Sequence, residues 1–113
     1  MSRVSHLPDE DGLELAPGVA MRPLFGEKAM LNMVDFEPKA KVPLHSHPHE
    51  QLGLVLEGSL VLVIGGLEHR LRPGDAYAIP GGVEHGAWTE DEPCRVLDVF
   101  HPVREDYRER AGG

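Results

Sequence analysis

Residues 45–51 read His-Ser-His-Pro-His-Glu-Gln, the only short run of the chain in which several side chains able to bind a transition metal stand together. In an extended strand successive side chains alternate faces, so His45 and His47, two residues apart, project to one side with their imidazoles adjacent. Gln51 keeps the same parity, and a bend at Pro48 lets its amide oxygen turn to the same interior. Imidazole suits zinc, copper, iron and nickel, an amide oxygen admits harder ions such as manganese, and the run offers no soft ligand. Three ligands of this kind call for a fourth from elsewhere in the chain.

Downstream, residues 74–85 read GDAYAIPGGVEH, in which a turn, a short apolar strand and a Pro-Gly-Gly turn deliver one histidine, His85. Together the two stretches resemble the two signature motifs of the cupin superfamily, the first with two histidines and the second with one, over roughly residues 39–88. The resemblance implies an all-β fold, the cupin double-stranded β-helix or jelly-roll barrel, with residues 1–113 forming a single domain. It also implies one divalent transition metal inside the barrel, held by His45, His47, Gln51 and His85, and zinc, nickel, iron and manganese all suit that set. One position departs from the family. Most cupins carry glutamate where this chain has Gln51, so the protein ligands would be neutral and the ion would keep its full charge for the substrate.

At 113 residues the chain is long enough for one core and too short for two. A net charge of −8 without clustered Lys and Arg argues against a nucleic-acid partner. The first residues, MSRVSHLPDEDG, lack the apolar stretch of a secretion signal, and no apolar run approaches membrane-spanning length. A cytoplasmic protein with no membrane partner is expected. Cys94, the single cysteine, has no internal disulfide partner and reads as an inert, partly buried thiol.

Thirteen glycines and ten prolines punctuate short apolar runs, as in an all-β chain. Residues 1–12 read as a polar segment ordered only by docking on the barrel, with His6 solvated. Strands are expected at 18–25 and 29–36, followed by an edge or loop at 39–42 between Pro38 and Pro43. The runs 51–57, 59–64 and 67–71 then read as an antiparallel meander, His69 lying on its charged surface. With Gln51 turned inward, Gly53 and Val55 share its face, while Leu52, Leu54 and Leu56 line the other. A strand apolar on both sides must be covered twice. A homodimer through the outer leucine face is expected, and a covering N-terminal segment would serve equally. Residues 76–79 and 95–101 complete the strands, and 102–113 form a charged tail with one helical turn.

Asp98 stands between Leu97 and Val99 on a core strand, where a carboxylate is costly to bury without a purpose or a partner. A structural ion pair with Arg104 is one explanation. A narrower resemblance supplies another: LDVFHPVREDY, read with HSHPHEQ, looks like the small KdgF-like cupins that linearise 4,5-unsaturated monouronates from pectin or alginate breakdown. Those enzymes hold their metal with three histidines and a glutamine. Their catalytic aspartate, the aromatic residue two positions on and the arginine that grips substrate match Asp98, Phe100 and Arg104 in type and spacing. The resemblance implies a small acidic sugar as substrate, Asp98 as acid-base, Phe100 as an apolar wall and a bidentate contact from Arg104 to the sugar carboxylate. Another metal-dependent cupin enzyme, such as a dioxygenase, and a non-catalytic small-molecule-binding cupin are the alternatives. His49 reads as lying behind the ligands or facing outward, and His101 has no assigned role.

Overall fold

Strand β5 (Glu50–Gly58) carries the two-faced pattern around which the barrel is built. Gln51, Gly53 and Val55 are buried, and Leu52, Leu54 and Leu56 are exposed between them. The computed structural model describes residues 2–112. It places β5 in a six-stranded antiparallel sheet with β1 (Leu13–Ala16), β2 (Val19–Phe25), β3 (Met30–Phe36), β8 (Ala76–Ile79) and β10 (Cys94–His101), in the order β1-β2-β3-β10-β5-β8. A four-stranded sheet, ordered β4-β9-β6-β7, contains β4 (Lys41–His45), β6 (Leu60–Ile64), β7 (Leu67–Leu71) and β9 (His85–Trp88). The inner faces close on one core in which Met21, Val34, Val55 and Val96 of the larger sheet meet Leu60 and Leu62 of the smaller. The expected all-β cupin-type barrel is what the chain forms.

One expectation for the strands is corrected. Strands β5 and β6 are not neighbours in a meander; the chain crosses from one sheet to the other between them. Gly58, with φ of +78°, makes the crossing, packed so closely against Pro93 that a side chain could not fit. Of the three strands read as that meander, β6 and β7 alone form a hairpin, through Gly65 and Gly66, both at positive φ as a two-residue primed turn requires. The stretch read as an edge or loop is the edge strand β4, the first of the two alternatives, and it pairs with β9 through a bulge between Val42 and His45 that takes up Pro43. The four residues of β1 were not foreseen as a strand.

The N-terminal segment docks as expected: Arg22 Nε donates to Glu10 O at 2.9 Å, beside a 3-10 turn at Leu7–Asp9. At the other end, α1 (Glu105–Arg110) buries Tyr107 edge-on against Phe100, ring centroids 5.8 Å apart. Cys94 is buried, and burial pushes its thiol up to about 12, which keeps it an unreactive thiol. Among the described residues no helix is long and apolar enough to cross a membrane.

Candidate metal centre and adjoining cavity

The pairing of β4 with β9 sets His45 directly opposite His85, their rings 4.4 Å apart between centroids. His47 lies just past the end of β4, its ring 4.9 Å from that of His85. The Pro-Gly-Gly turn fixes it there. Gly82 N–H donates to His47 O at 2.8 Å, and Gly81 sits too close to Pro48 to carry a side chain. The glycines of the second stretch thus brace the bend of the first. One nitrogen from each of His45, His47 and His85 lies within 4.8 Å of the others, so the three could hold a metal ion.

The other nitrogens fix the tautomer. Nδ1 of His45 lies 2.8 Å from Pro43 O, that of His47 3.0 Å from His49 O, and that of His85 2.9 Å from Val83 O. A carbonyl only accepts, so each Nδ1 carries the proton and each Nε2 presents a lone pair. Burial pushes His47 down to about 4, with the Arg104 charge adding to it, and burial lowers His85 as well, so both rings are neutral at physiological pH. Nε2 of His85 is buried without a partner, and Nε2 of His47 faces Gln51 Oε1 at 3.0 Å. Two acceptors at that distance with no proton between them are unfavourable until a cation joins them. The donor set, three imidazoles and an amide oxygen, fits a divalent transition metal. His49 contributes its carbonyl behind His47, not its ring.

Asp98, 6% exposed, points inward from β10. No ion pair joins it to Arg104 among the described residues, which removes the structural explanation considered above. Its partner is Tyr77 of β8, whose hydroxyl donates to Asp98 Oδ1 at 2.5 Å. The phenol reaches across β5 because residue 53 is glycine: Asp98 and Tyr77 both pair with Gly53, and a Cβ there would overlap the Tyr77 ring. Burial pushes Asp98 up to about 6, against the opposing pull of hydrogen bonds from Tyr77 and Gln51. Burial, then Asp98 itself, raises Tyr77 well above its ordinary value. Tyr77 was missed in the sequence, although an isolated glycine inside a leucine-rich strand signals that something passes close by.

Arg104, 7% exposed, lies over the rings of Tyr107 and Phe100, 3.9 and 5.1 Å from their centroids. Its Nε and Nη2 are already engaged by Asp106, at 3.1 and 2.8 Å. That differs from the expected bidentate grip on a substrate, since only Nη1 is buried and without a partner. Phe100 is buried and edge-on to His47, centroids 5.5 Å apart, so it supports the ligand as well as walling the cavity.

His45, Gln51, His85, Asp98, Phe100 and Arg104 line one cavity of about 50 Å³, which has room for an ion and a few waters. Typical ligand pockets are roughly 300–1,000 Å³, so a sugar enters only if the walls move apart. A larger open groove of about 720 Å³ lies on the outer face beside Arg22, Asp35 and Arg95. Both arginines there are spent on Asp35, leaving the smaller cavity as the chemically equipped one. His6, His69 and His101 are exposed and apart from it.

A cupin domain family profile matches residues 32–100. The chain is 31% identical over 96 residues to pectin degradation protein KdgF of Dickeya dadantii, covering 83% of this chain and 87% of that one. The solved structure of KdgF from Halomonas sp. superposes with a TM-score of 0.88 at 28% identity, over 95% of this chain and 99% of the other. The polyketide cyclase RemF from Streptomyces resistomycificus superposes with a TM-score of 0.78, also at 28% identity, over 92% and 87% of the two chains.

Proposed function

The chain belongs to the cupin domain family, and from that footing we propose that it converts 4,5-unsaturated monouronates, from pectin or alginate breakdown, into linear keto-sugars. The observation that carries the proposal is the setting of Asp98. A buried carboxylate raised to about 6, with one oxygen held by Tyr77, opens on the same cavity as the histidine cluster and Arg104. The likeness to a pectin degradation protein over most of both chains supports the choice of substrate class.

The reaction is an isomerisation. The anomeric hydroxyl loses its proton as the C1 carbonyl forms and the bond from C1 to the ring oxygen breaks; the enolate left at C5 becomes a ketone when C4 takes a proton. One proton leaves oxygen and one reaches carbon. Asp98 is ionised above pH 6 and accepts the first through Oδ2, since Oδ1 is occupied by the Tyr77 hydroxyl; it then returns a proton to carbon. Arg104 Nη1 takes a carboxylate oxygen of the sugar, while Asp106 holds the rest of the guanidinium in place. Phe100 keeps that side of the pocket apolar. A divalent ion on His45, His47, His85 and Gln51 would supply fixed positive charge for the oxygens that become negative as the ring opens.

Asp98→Asn separates catalysis from binding. With metal content equal to wild type, it should lose about 10²–10⁴-fold in the rate at which the ultraviolet absorbance of the conjugated alkene disappears. An equally active variant removes Asp98 from the reaction. Oxygen uptake during turnover would mark a dioxygenase instead.

A further inference from the structure

Asn32 is the one polar residue on the inner face of β3, set between Met30 and Val34, and it is 1% exposed. It pairs directly with Asp98 of β10, so the two side chains stand side by side on the floor of the same cavity. Its amide is poorly provided for. Nδ2 has only the Met21 sulfur, at 3.9 Å, and Oδ1 is buried with no partner. Turning the amide about does not help, because a thioether has no hydrogen to give and the nitrogen would then be the orphan. Leucine would fill this space without leaving a polar group unpaired, so packing does not account for asparagine here.

We propose that Asn32 is a sugar-binding residue whose amide takes a ring hydroxyl of the bound uronate and so sets the sugar's orientation beside Asp98. A hydroxyl both donates and accepts, so it satisfies the orphaned end of the amide in either orientation. The adjacency to Asp98 places that hydroxyl next to the reacting part of the ring. The inference deepens the proposed function and rests on it for the class of sugar.

The test uses D-galacturonate, a saturated uronate with no alkene to rearrange, titrated into the metal-loaded protein. The side-chain amide signals of Asn32 in a ¹H–¹⁵N spectrum should move on saturation. Asn32→Leu should bind the sugar about tenfold more weakly, with a thermal midpoint equal to or above that of wild type. Binding that leaves the Asn32 signals in place, an Asn32→Leu variant of undiminished affinity, or no binding at all would each overturn the inference. Its failure is separable from that of the reaction. Binding through Asn32 without turnover of unsaturated uronates sinks the reaction alone, and turnover with unchanged affinity in Asn32→Leu sinks the inference alone.

Discussion

Asp98 is kept where its charge is least welcome. Burial raises its folded-state value from 3.8 to about 6, so the fold prefers the protonated form. The resulting stabilisation is complete below the unfolded value and is lost as pH rises through about 6. At pH 7.5 the metal-free protein therefore carries a strained carboxylate. Asp98→Asn removes that strain and should stabilise the chelated protein there by on the order of 1–3 kcal/mol, the gain vanishing below pH 4. Denaturant unfolding at the two pH values checks it; a variant less stable than wild type at pH 7.5 contradicts it. The carboxylate is legible in the sequence, flanked by Leu97 and Val99 on a core strand. Its partner is not, because Arg104 is close in sequence whereas Tyr77 comes from another strand through a gap that only strand pairing creates. The three histidines were legible because the two motifs that carry them are short runs of sequence, although β4 ends at His45 and it is the pairing of β4 with β9 that brings His85 opposite it.

Strand β5 serves as a slot as well as a wall. Gly53 removes the one side chain that would block the Tyr77 ring on its way to Asp98. Gly53→Ala should therefore displace the phenol, cost about 1–3 kcal/mol through overpacking, and slow turnover by at least about tenfold. A double-mutant cycle with Tyr77→Ala locates the effect: with the ring gone, the added methyl should cost much less than in wild type. Additive costs would show that Gly53 acts independently of Tyr77. The same strand marks the limit of sequence reading. Its alternation fixes which residues face inward, and that reading holds for every residue from Gln51 to Leu56. Apolar runs joined at a glycine fit a hairpin and a sheet-to-sheet crossing equally well, however, and at Gly58 the choice is made by Pro93, far along the chain. Likewise a bulge accommodates Pro43 only because β9 is there to pair with the residues around it.

At the scale of the molecule, the outer face of the larger sheet leaves Leu52, Leu54 and Leu56 exposed to 46, 38 and 39%. The N-terminal segment docks on β2, three strands away, so it is not their cover. A second copy of the chain is the proposed cover, and Leu54→Glu should turn a dimer into a monomer by light scattering; a monomeric wild type refutes it. The inner face holds the claim on which the rest depends, that the barrel accelerates ring opening of an unsaturated uronate. The direct test is proton NMR of freshly generated unsaturated galacturonate with metal-loaded protein, with chelated protein and with none, since the sugar also opens unaided. The alkene signals should disappear fastest, and the linear keto-sugar accumulate fastest, with the metal-loaded protein alone. Equal rates in all three samples would contradict it.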